Sequence, residues 1–176
     1  MLIYHINEKD AEDKFYNHVV RLADILSANR GDRTFRFDGY CSCDHGVHWN
    51  NKFTEWINNA EIVLLVLTPE LSRRLTASDR LDPILMKYGS VGSQAISNFV
   101  SGIIPGSRTF IPIFLNMPMD KKLIPASLSS NEYYEIDLEN IPDDINTTDK
   151  LQDYIHENQA KTYGLTNLLR RLNGDV

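Results

Sequence analysis

Six apolar residues follow one another without a break from Ile62 to Leu67, between Glu61 and the pair Thr68-Pro69. A run of this length that contains β-branched residues and ends at a proline predicts a strand buried on both faces. A strand with one face in water would alternate apolar and polar residues instead. Strands buried on both faces belong to parallel sheets covered by helices, so we expect Ile62–Leu67 to be the central strand of an α/β domain.

Four shorter segments have the pattern of further strands: Leu2–Ile6, Thr34–Asp38, Thr109–Leu115 and Tyr133–Asp137. Pro112 lies inside the third of these and cannot donate a hydrogen bond to a neighbouring strand. We therefore expect a strand start or a bulge near Pro112.

Helical spacing of apolar residues separates these strands. Phe15, Val19, Leu22 and Leu26 follow one another at i, i+4, i+7 and i+11, which predicts one buried helical stripe. Apolar positions between residues 49 and 60, and again between residues 91 and 103, predict two more helices. Residues 151–172 predict a closing helical region, with Gly164 as a possible break.

The alternation of strands and helices predicts one α/β domain over residues 1–176, with a five-stranded parallel sheet and helices on both faces. The flavodoxin-like order 2-1-3-4-5 places Ile62–Leu67 in the middle, as its composition requires. Because Met1 leads directly into a strand, we expect this domain to belong to a longer protein.

Composition narrows the classes of function. The net charge of −6 argues against nucleic acid or an acidic membrane as partner. No apolar run is long enough to span a membrane, and the first residues have no signal-peptide pattern. The two cysteines, Cys41 and Cys43, are too close in sequence to favour a structural disulfide, so we expect a reducing, cytoplasmic location.

Three common chemistries of this fold class lack their motifs. The loop after the first strand reads NEKD and has no glycine for a phosphate site. Thr68-Pro69 stands where a response-regulator receiver would carry a reactive Asp at the end of the third strand. There is no Gly-x-Ser-x-Gly nucleophile elbow. We predict no catalytic residue and no cofactor.

Two residue clusters leave alternatives open. Cys41, Cys43, Asp44, His45 and His48 could in principle bind zinc, but eight consecutive residues are an unusual spacing for a closed tetrahedral site. A polar loop with one buried cysteine is the alternative, and we predict no metal.

The second cluster is acidic. Glu8, Asp10, Asp38 and Glu70 are expected near the carboxyl ends of the strands, where a nicotinamide-cleaving site would need a carboxylate. Helix capping and solvated loops are the alternative interpretation.

The order of several segments resembles the Toll/interleukin-1 receptor (TIR) superfamily, and more closely its SEFIR branch. The block WNNKFTEWINNAEIVLLVLTPE is similar to the family's aromatic helix and the strand that follows it. LIYHINEKD and FRFDGYC resemble the first two strands, TFIPIFL and IPASL a later segment, and LTNLLRRL the closing helix. The similarity extends over essentially the whole chain.

This resemblance implies a cytosolic module that makes homotypic contacts between interleukin-17-type receptors and their adaptor, with self-association as a further possibility. It places partner binding in the segment after the third strand and around the second helix. The residues that we expect to contact a partner are Arg73, Arg74, Asp79, Arg80, Asp82, Lys87, Tyr88, Asp44, His45, Lys52 and Glu55. A solvated loop over a small part of the core is the alternative for the segment that contains Arg73–Tyr88.

NAD cleavage is the alternative function within the superfamily. TIR enzymes carry a catalytic glutamate on the third helix, whereas Gly89–Val100 contains no acid and has Ser93 or Gln94 near that position. Neither side chain can stabilise an oxocarbenium-like cation as a carboxylate does. The departure counts against NAD cleavage and favours the interaction module.

Overall fold

A computed structural model describes residues 2–6, 14–29, 37–41, 55, 59–69, 71–72, 109–128, 132–142, 145 and 148–174 of the chain. The strands are β1 (Leu2–Ile6), β2 (Phe37–Cys41), β3 (Ile62–Val66), β4 (Thr109–Leu115) and β5 (Tyr134–Ile136). The helices are α1 (Lys14–Ala28), α2 (Thr148–Glu157) and α3 (Tyr163–Asn173). Short 3-10 turns lie at Lys121–Leu123 and Ala126–Leu128. In these ranges, no helix is long and apolar enough to cross a membrane.

The strands form a parallel sheet. β3, β4 and β5 lie side by side in that order, with Ile62 opposite Thr109 and Ile113 opposite Tyr134. β1 pairs with β3, and β2 pairs with β1, so that the strand order is β2-β1-β3-β4-β5. The α/β class and the parallel sheet predicted from the sequence are confirmed.

Each face of the sheet has its own apolar core. On one face, Leu64 and Val66 of β3 and alternate residues of β4 pack against α1, α2 and α3. On the other face, Val63, Leu65 and Leu67 pack with Phe110, Phe114, Leu71 and Leu128. Since successive side chains of a strand point to opposite faces, a strand covered on both sides must be apolar at every position. This explains why the apolar run Ile62–Leu67 is unbroken.

The second strand differs from its prediction. We expected it at Thr34–Asp38, but β2 extends beyond Asp38 and includes Gly39, Tyr40 and Cys41. Its parallel register with β1 places Leu2 opposite Phe37 and Ile6 opposite Cys41. Backbone pairing to β1 therefore sets the extent of this strand, and local alternation does not reveal it.

Pro112 needs neither a strand start nor a bulge. It lies buried within β4, opposite Leu65. Thr109 N donates to Glu61 O, whereas Asn116 N donates to Ile136 O, so even-numbered positions of β4 face β5. β5 begins opposite Ile113, and the missing N–H of Pro112 therefore faces a position before β5 starts. No strand-pairing hydrogen bond is lost.

The break in the closing helical region precedes the predicted one. α2 ends at Glu157 and α3 begins at Tyr163, so Gly164 lies within the first turn of α3. The backbone N–H groups of Lys161 and Thr162 both donate to Asn158 O, and the Asn158 side chain donates to Tyr154 O. These bonds turn the chain between residues 158 and 162, and Gly164 has a different role.

Candidate functional site

Nearly all of the residues predicted to bind a partner lie outside the described part of the chain: Arg73, Arg74, Asp79, Arg80, Asp82, Lys87, Tyr88, Asp44, His45 and Lys52. Glu55 is described, and it is helical and exposed. Of the metal-site candidates, Cys41 is the last residue of β2. Cys43 and His48 lie outside the described part of the chain. Among the described residues no group of three or more His, Cys, Asp or Glu side chains could hold a metal ion.

The acidic candidates for a nicotinamide-cleaving site are similarly divided. Glu8, Asp10 and Glu70 are outside the described residues. Asp38 is the second residue of β2, opposite Ile3, and therefore lies near the amino end of its strand. The expectation that it lies near the carboxyl end was wrong, because the strand begins three residues later than its sequence pattern indicated.

The end of the central strand begins a helical turn. Thr68 Oγ1 accepts a hydrogen bond from Leu71 N at 3.1 Å, and Thr68 O accepts one from Ser72 N at 2.9 Å. Thr68 thus has the position of a helix N-cap, and Pro69 follows at the first helical position, where its missing N–H is not needed. The carboxyl end of β3 is used to start the next element, which leads into the charged segment 73–88.

Outside the regions predicted from the sequence, the described residues form a cleft of about 760 Å³, which we call the edge cleft. It begins just after the ends of β4 and β5, at Asn116 and Asp137, and runs beside β5 to the first turn of α3. Clefts at the carboxyl ends of parallel strands are the usual ligand sites of α/β sheets. Its lining residues are Asn116, Met117, Pro118, Tyr133, Tyr134, Glu135, Ile136, Asp137, Glu139, Ala160, Lys161, Tyr163, Gly164 and Asn167.

A close backbone approach fixes one wall of the edge cleft. A β-carbon built on Gly164 would lie 1.7 Å from Glu135 O. Ile136 O accepts from Asn116 N across the β4–β5 pair, so the carbonyl of the preceding residue, Glu135, faces away from β4. The first turn of α3 therefore covers the outer edge of β5 at Glu135. An uncovered edge would present unpaired backbone groups to other strands.

The connection after β5 forms the opposite rim. Asn116 has a φ of 51°, in the left-handed region that asparagine tolerates better than most residues. In this conformation its Oδ1 accepts from Leu138 N at 2.6 Å. Its Nδ2 is buried and has no hydrogen-bond partner within the described part of the chain. The side chain thus ties the end of β4 to the chain that leaves β5.

Helix α1 and helix α2 also hold this connection. Lys14 Nζ donates to Glu139 Oε1 at 2.7 Å, and this bond raises the pKa of Lys14 above its ordinary value. Arg21 donates to the carbonyl oxygens of Leu138 and Pro142, and the Tyr154 hydroxyl donates to Asn140 O. The rim is therefore fixed to three elements of the fold.

His18 lies close to this rim. Its side chain is half-buried on α1. Burial lowers the pKa of His18 below 6.5, and the nearby Lys14 charge lowers it further, while Glu139 opposes the shift. The imidazole is consequently favoured in its neutral form.

A second depression, of about 480 Å³, lies between α2 and α3, and we call it the helical groove. One wall is formed by α2 together with Gln159, which lies two residues after the end of α2. The other wall is formed by α3. Its lining residues are Gln152, Ile155, His156, Gln159, Tyr163, Thr166, Asn167, Leu169, Arg170 and Asn173. Tyr163 and Asn167, one helical turn apart on α3, border both the edge cleft and the helical groove.

Neither depression was predicted from the sequence pattern. The pattern around Gly164 predicts a helix break, but a glycine inside an otherwise helical pattern also indicates close packing. Tyr163 fits a helical pattern without being part of its apolar stripe of Leu165, Leu168, Leu169 and Leu172. An aromatic residue just outside such a stripe was the available signal for an exposed contact surface.

Comparisons of the chain with protein-family models, with curated proteins and with solved structures found no match. The geometry itself defines an α/β protein with a parallel sheet, a capped carboxyl end of the central strand and two adjoining surface depressions.

Proposed function

We propose that this chain is an interaction module of the SEFIR type, which contacts SEFIR domains of interleukin-17-type receptors and of their adaptor in the cytoplasm. In this proposal the sheet belongs to a flavodoxin-like, TIR-like architecture of order 2-1-3-4-5 with helices on both faces. The module acts by binding other proteins and requires no cofactor.

The observation that supports this proposal is the N-cap at Thr68. At the carboxyl end of a central parallel strand, an enzyme or phospho-acceptor of this fold class has its reactive side chain. Here the Thr68 hydroxyl accepts the N–H of Leu71 and starts a helical turn. The strand end thereby serves to present the segment that follows, which has basic and acidic residues among leucines. Such a mixture is typical of a polar-rimmed protein interface.

Charge reversal tests the proposed surface. The double variant R73E/R74E is expected to weaken binding to an immobilised SEFIR domain by about tenfold or more, because like charges would oppose across the interface. Its melting temperature should stay close to that of the unchanged chain. The matched control is K121E/K122E, which reverses two adjacent exposed lysines on the connection after β4.

Two kinds of outcome would overturn the proposal. The first is a failed binding test: either R73E/R74E binds the SEFIR domain as the control does, or the unchanged chain binds no receptor or adaptor SEFIR domain. The second is release of nicotinamide when the purified chain is incubated with NAD, since this would assign it to the NAD-cleaving members of the superfamily.

A further inference from the structure

Tyr163 is the most exposed large apolar side chain among the described residues, with 70% of its surface accessible, against 36% for Tyr16. It is the first residue of α3 and stands between the edge cleft and the helical groove. Tyrosine is enriched at the centre of protein interfaces, because it adds a large contact area at a low cost in side-chain entropy.

The two depressions beside Tyr163 differ in charge. Among the described residues, the edge cleft has the carboxylates of Glu135, Asp137 and Glu139 and a single lysine, Lys161. The described residues that line the helical groove include Arg170 and no acid. One flank of Tyr163 is thus acidic and the other is basic, within a chain whose net charge is −6.

Glu135 and Arg170 carry this difference most directly. Both are exposed, and neither side chain has an ion pair or hydrogen bond within the ranges that the structure describes. By comparison, Glu139 is paired with Lys14, and Arg171 is paired with Glu132 at 3.2 Å. The two charges that face outward beside Tyr163 therefore remain available to an external partner.

A surface with an acidic half and a basic half is complementary to itself when a second copy is turned by a two-fold axis along the boundary. The axis would run beside Tyr163 and Asn167, which form that boundary. Glu135 of each copy would then face Arg170 of the other, and the two copies of Tyr163 would meet near the axis. A contact of this kind closes as a dimer, because both copies use the same patch.

We propose that two copies of this chain associate through Tyr163, with Glu135 of one copy paired to Arg170 of the other. The inference rests on the proposed function as an interaction module, and it names a second surface for that function, separate from segment 73–88. Each dimer contains two such ion pairs, related by the two-fold axis.

Sedimentation equilibrium of the purified chain measures this association. The unchanged chain is expected to show a reversible monomer–dimer equilibrium that weakens between about 0.05 and 0.5 M NaCl, because exposed ion pairs are screened by salt. R170E places two pairs of like charges across the axis and should raise the dissociation constant by about tenfold or more. Y163A should do the same, whereas the control Y16A, at the other exposed tyrosine, should not.

Mixing two defective variants gives the sharpest test. R170E alone has acids at both positions, and E135R alone has bases at both positions, so each should remain monomeric. Together they restore both opposite-charge pairs, and a mixed dimer should form with an affinity close to that of the unchanged chain. Surface changes that merely damage the fold could not produce this recovery.

Three results would overturn the inference: a chain that stays monomeric at millimolar concentration, dimerisation of R170E equal to that of the unchanged chain, or no mixed dimer from R170E and E135R. The proposed function as an interaction module is tested by separate results. R170E should still bind an immobilised SEFIR domain, and R73E/R74E should still dimerise. Loss of SEFIR binding by R73E/R74E with self-association intact is the pattern that distinguishes the two surfaces.

Discussion

Gly164 of α3 lies against the main-chain carbonyl of Glu135 in β5, with no space for a side chain between them. A β-carbon at position 164 would be 1.7 Å from the carbonyl oxygen and 2.8 Å from the carbonyl carbon. Helix α3 can therefore cover the edge of the sheet only because this residue is a glycine. The same approach brings Tyr163 next to β5, and it places the acidic and basic depressions on either side of one tyrosine.

Gly164→Ala is expected to lower the free energy of unfolding by roughly 3 kcal/mol, since the added methyl group would meet backbone atoms that cannot move independently. Glu135 is held in β5, opposite Phe114. Urea denaturation followed by circular dichroism measures the change. Gly174→Ala is the comparison. Gly174 has a φ of +82°, and no atom of the described residues lies within 4 Å of a β-carbon placed there, so only the left-handed conformation costs energy, about 1 kcal/mol. Equal losses in both variants would contradict the close approach.

Asn116→Ala should destabilise the fold by about 2 kcal/mol, for two reasons. Alanine tolerates the positive φ poorly, and the buried chain at Leu138 loses the oxygen that accepts its N–H. Asn116→Gly keeps the backbone conformation and loses only the side-chain bond, so it should cost about 1 kcal/mol less. Chemical denaturation of both variants at one pH separates the two contributions. A glycine variant less stable than the alanine variant would show that the backbone conformation is not the larger factor.

His18 should make the stability of the fold depend on pH in the acidic range. Its folded-state pKa lies below the ordinary value of 6.5, so between these two values the unfolded chain binds the proton more readily. Stability should therefore be highest above pH 6.5 and should fall as the pH drops through that value toward the folded-state pKa. The charged groups that act on His18 are Lys14 and Arg21, which lower the pKa, and Glu139 and Asp137, which raise it.

The measurement is the melting temperature of the chain and of His18→Gln at steps between about pH 5 and pH 8. H18Q should lose the part of the decline that lies just below pH 6.5. His156→Gln, at an exposed position on α2, is measured in parallel as the surface substitution. A pH profile of H18Q that coincides with that of the unchanged chain would contradict the burial of His18.

Thr68→Val should cost about 1 kcal/mol of stability, because valine keeps the branched shape but cannot accept the N–H of Leu71. Thr68→Ser retains the hydroxyl and should cost less. If Thr68 fixes the start of segment 73–88, then T68V should also weaken binding to a SEFIR domain while T68S does not. Binding by T68V that equals binding by T68S would separate the cap from partner recognition.

The local sequence pattern was sufficient to predict those elements that have a fully buried face. The run Ile62–Leu67 is apolar at every position because both faces of β3 are covered, and the stripe in α1 repeats because one side of that helix is buried. In both cases the environment acts on each side chain separately. Such an environment can be inferred from residue type and spacing alone.

Pairing between segments that are distant in sequence could not be predicted from the local pattern. The extent of β2 depends on its register with β1. Whether Pro112 costs the sheet a hydrogen bond depends on where β5 begins. Both properties concern which backbone groups meet, and nearly every residue type carries the same backbone groups. The sequence pattern around residues 34–41 therefore indicated a strand without giving its bounds.

Residue type and spacing were enough to predict the α/β class, the central strand and the apolar faces of α1 and α3, because each buried position of these elements requires an apolar side chain. Two features became visible only in the folded chain: Gly164 packs against Glu135, and Tyr163 separates an acidic from a basic depression. These are relationships between segments far apart in the chain or between backbone atoms. Their physical cause is the packing of α3 on the edge of the sheet, which no single segment encodes.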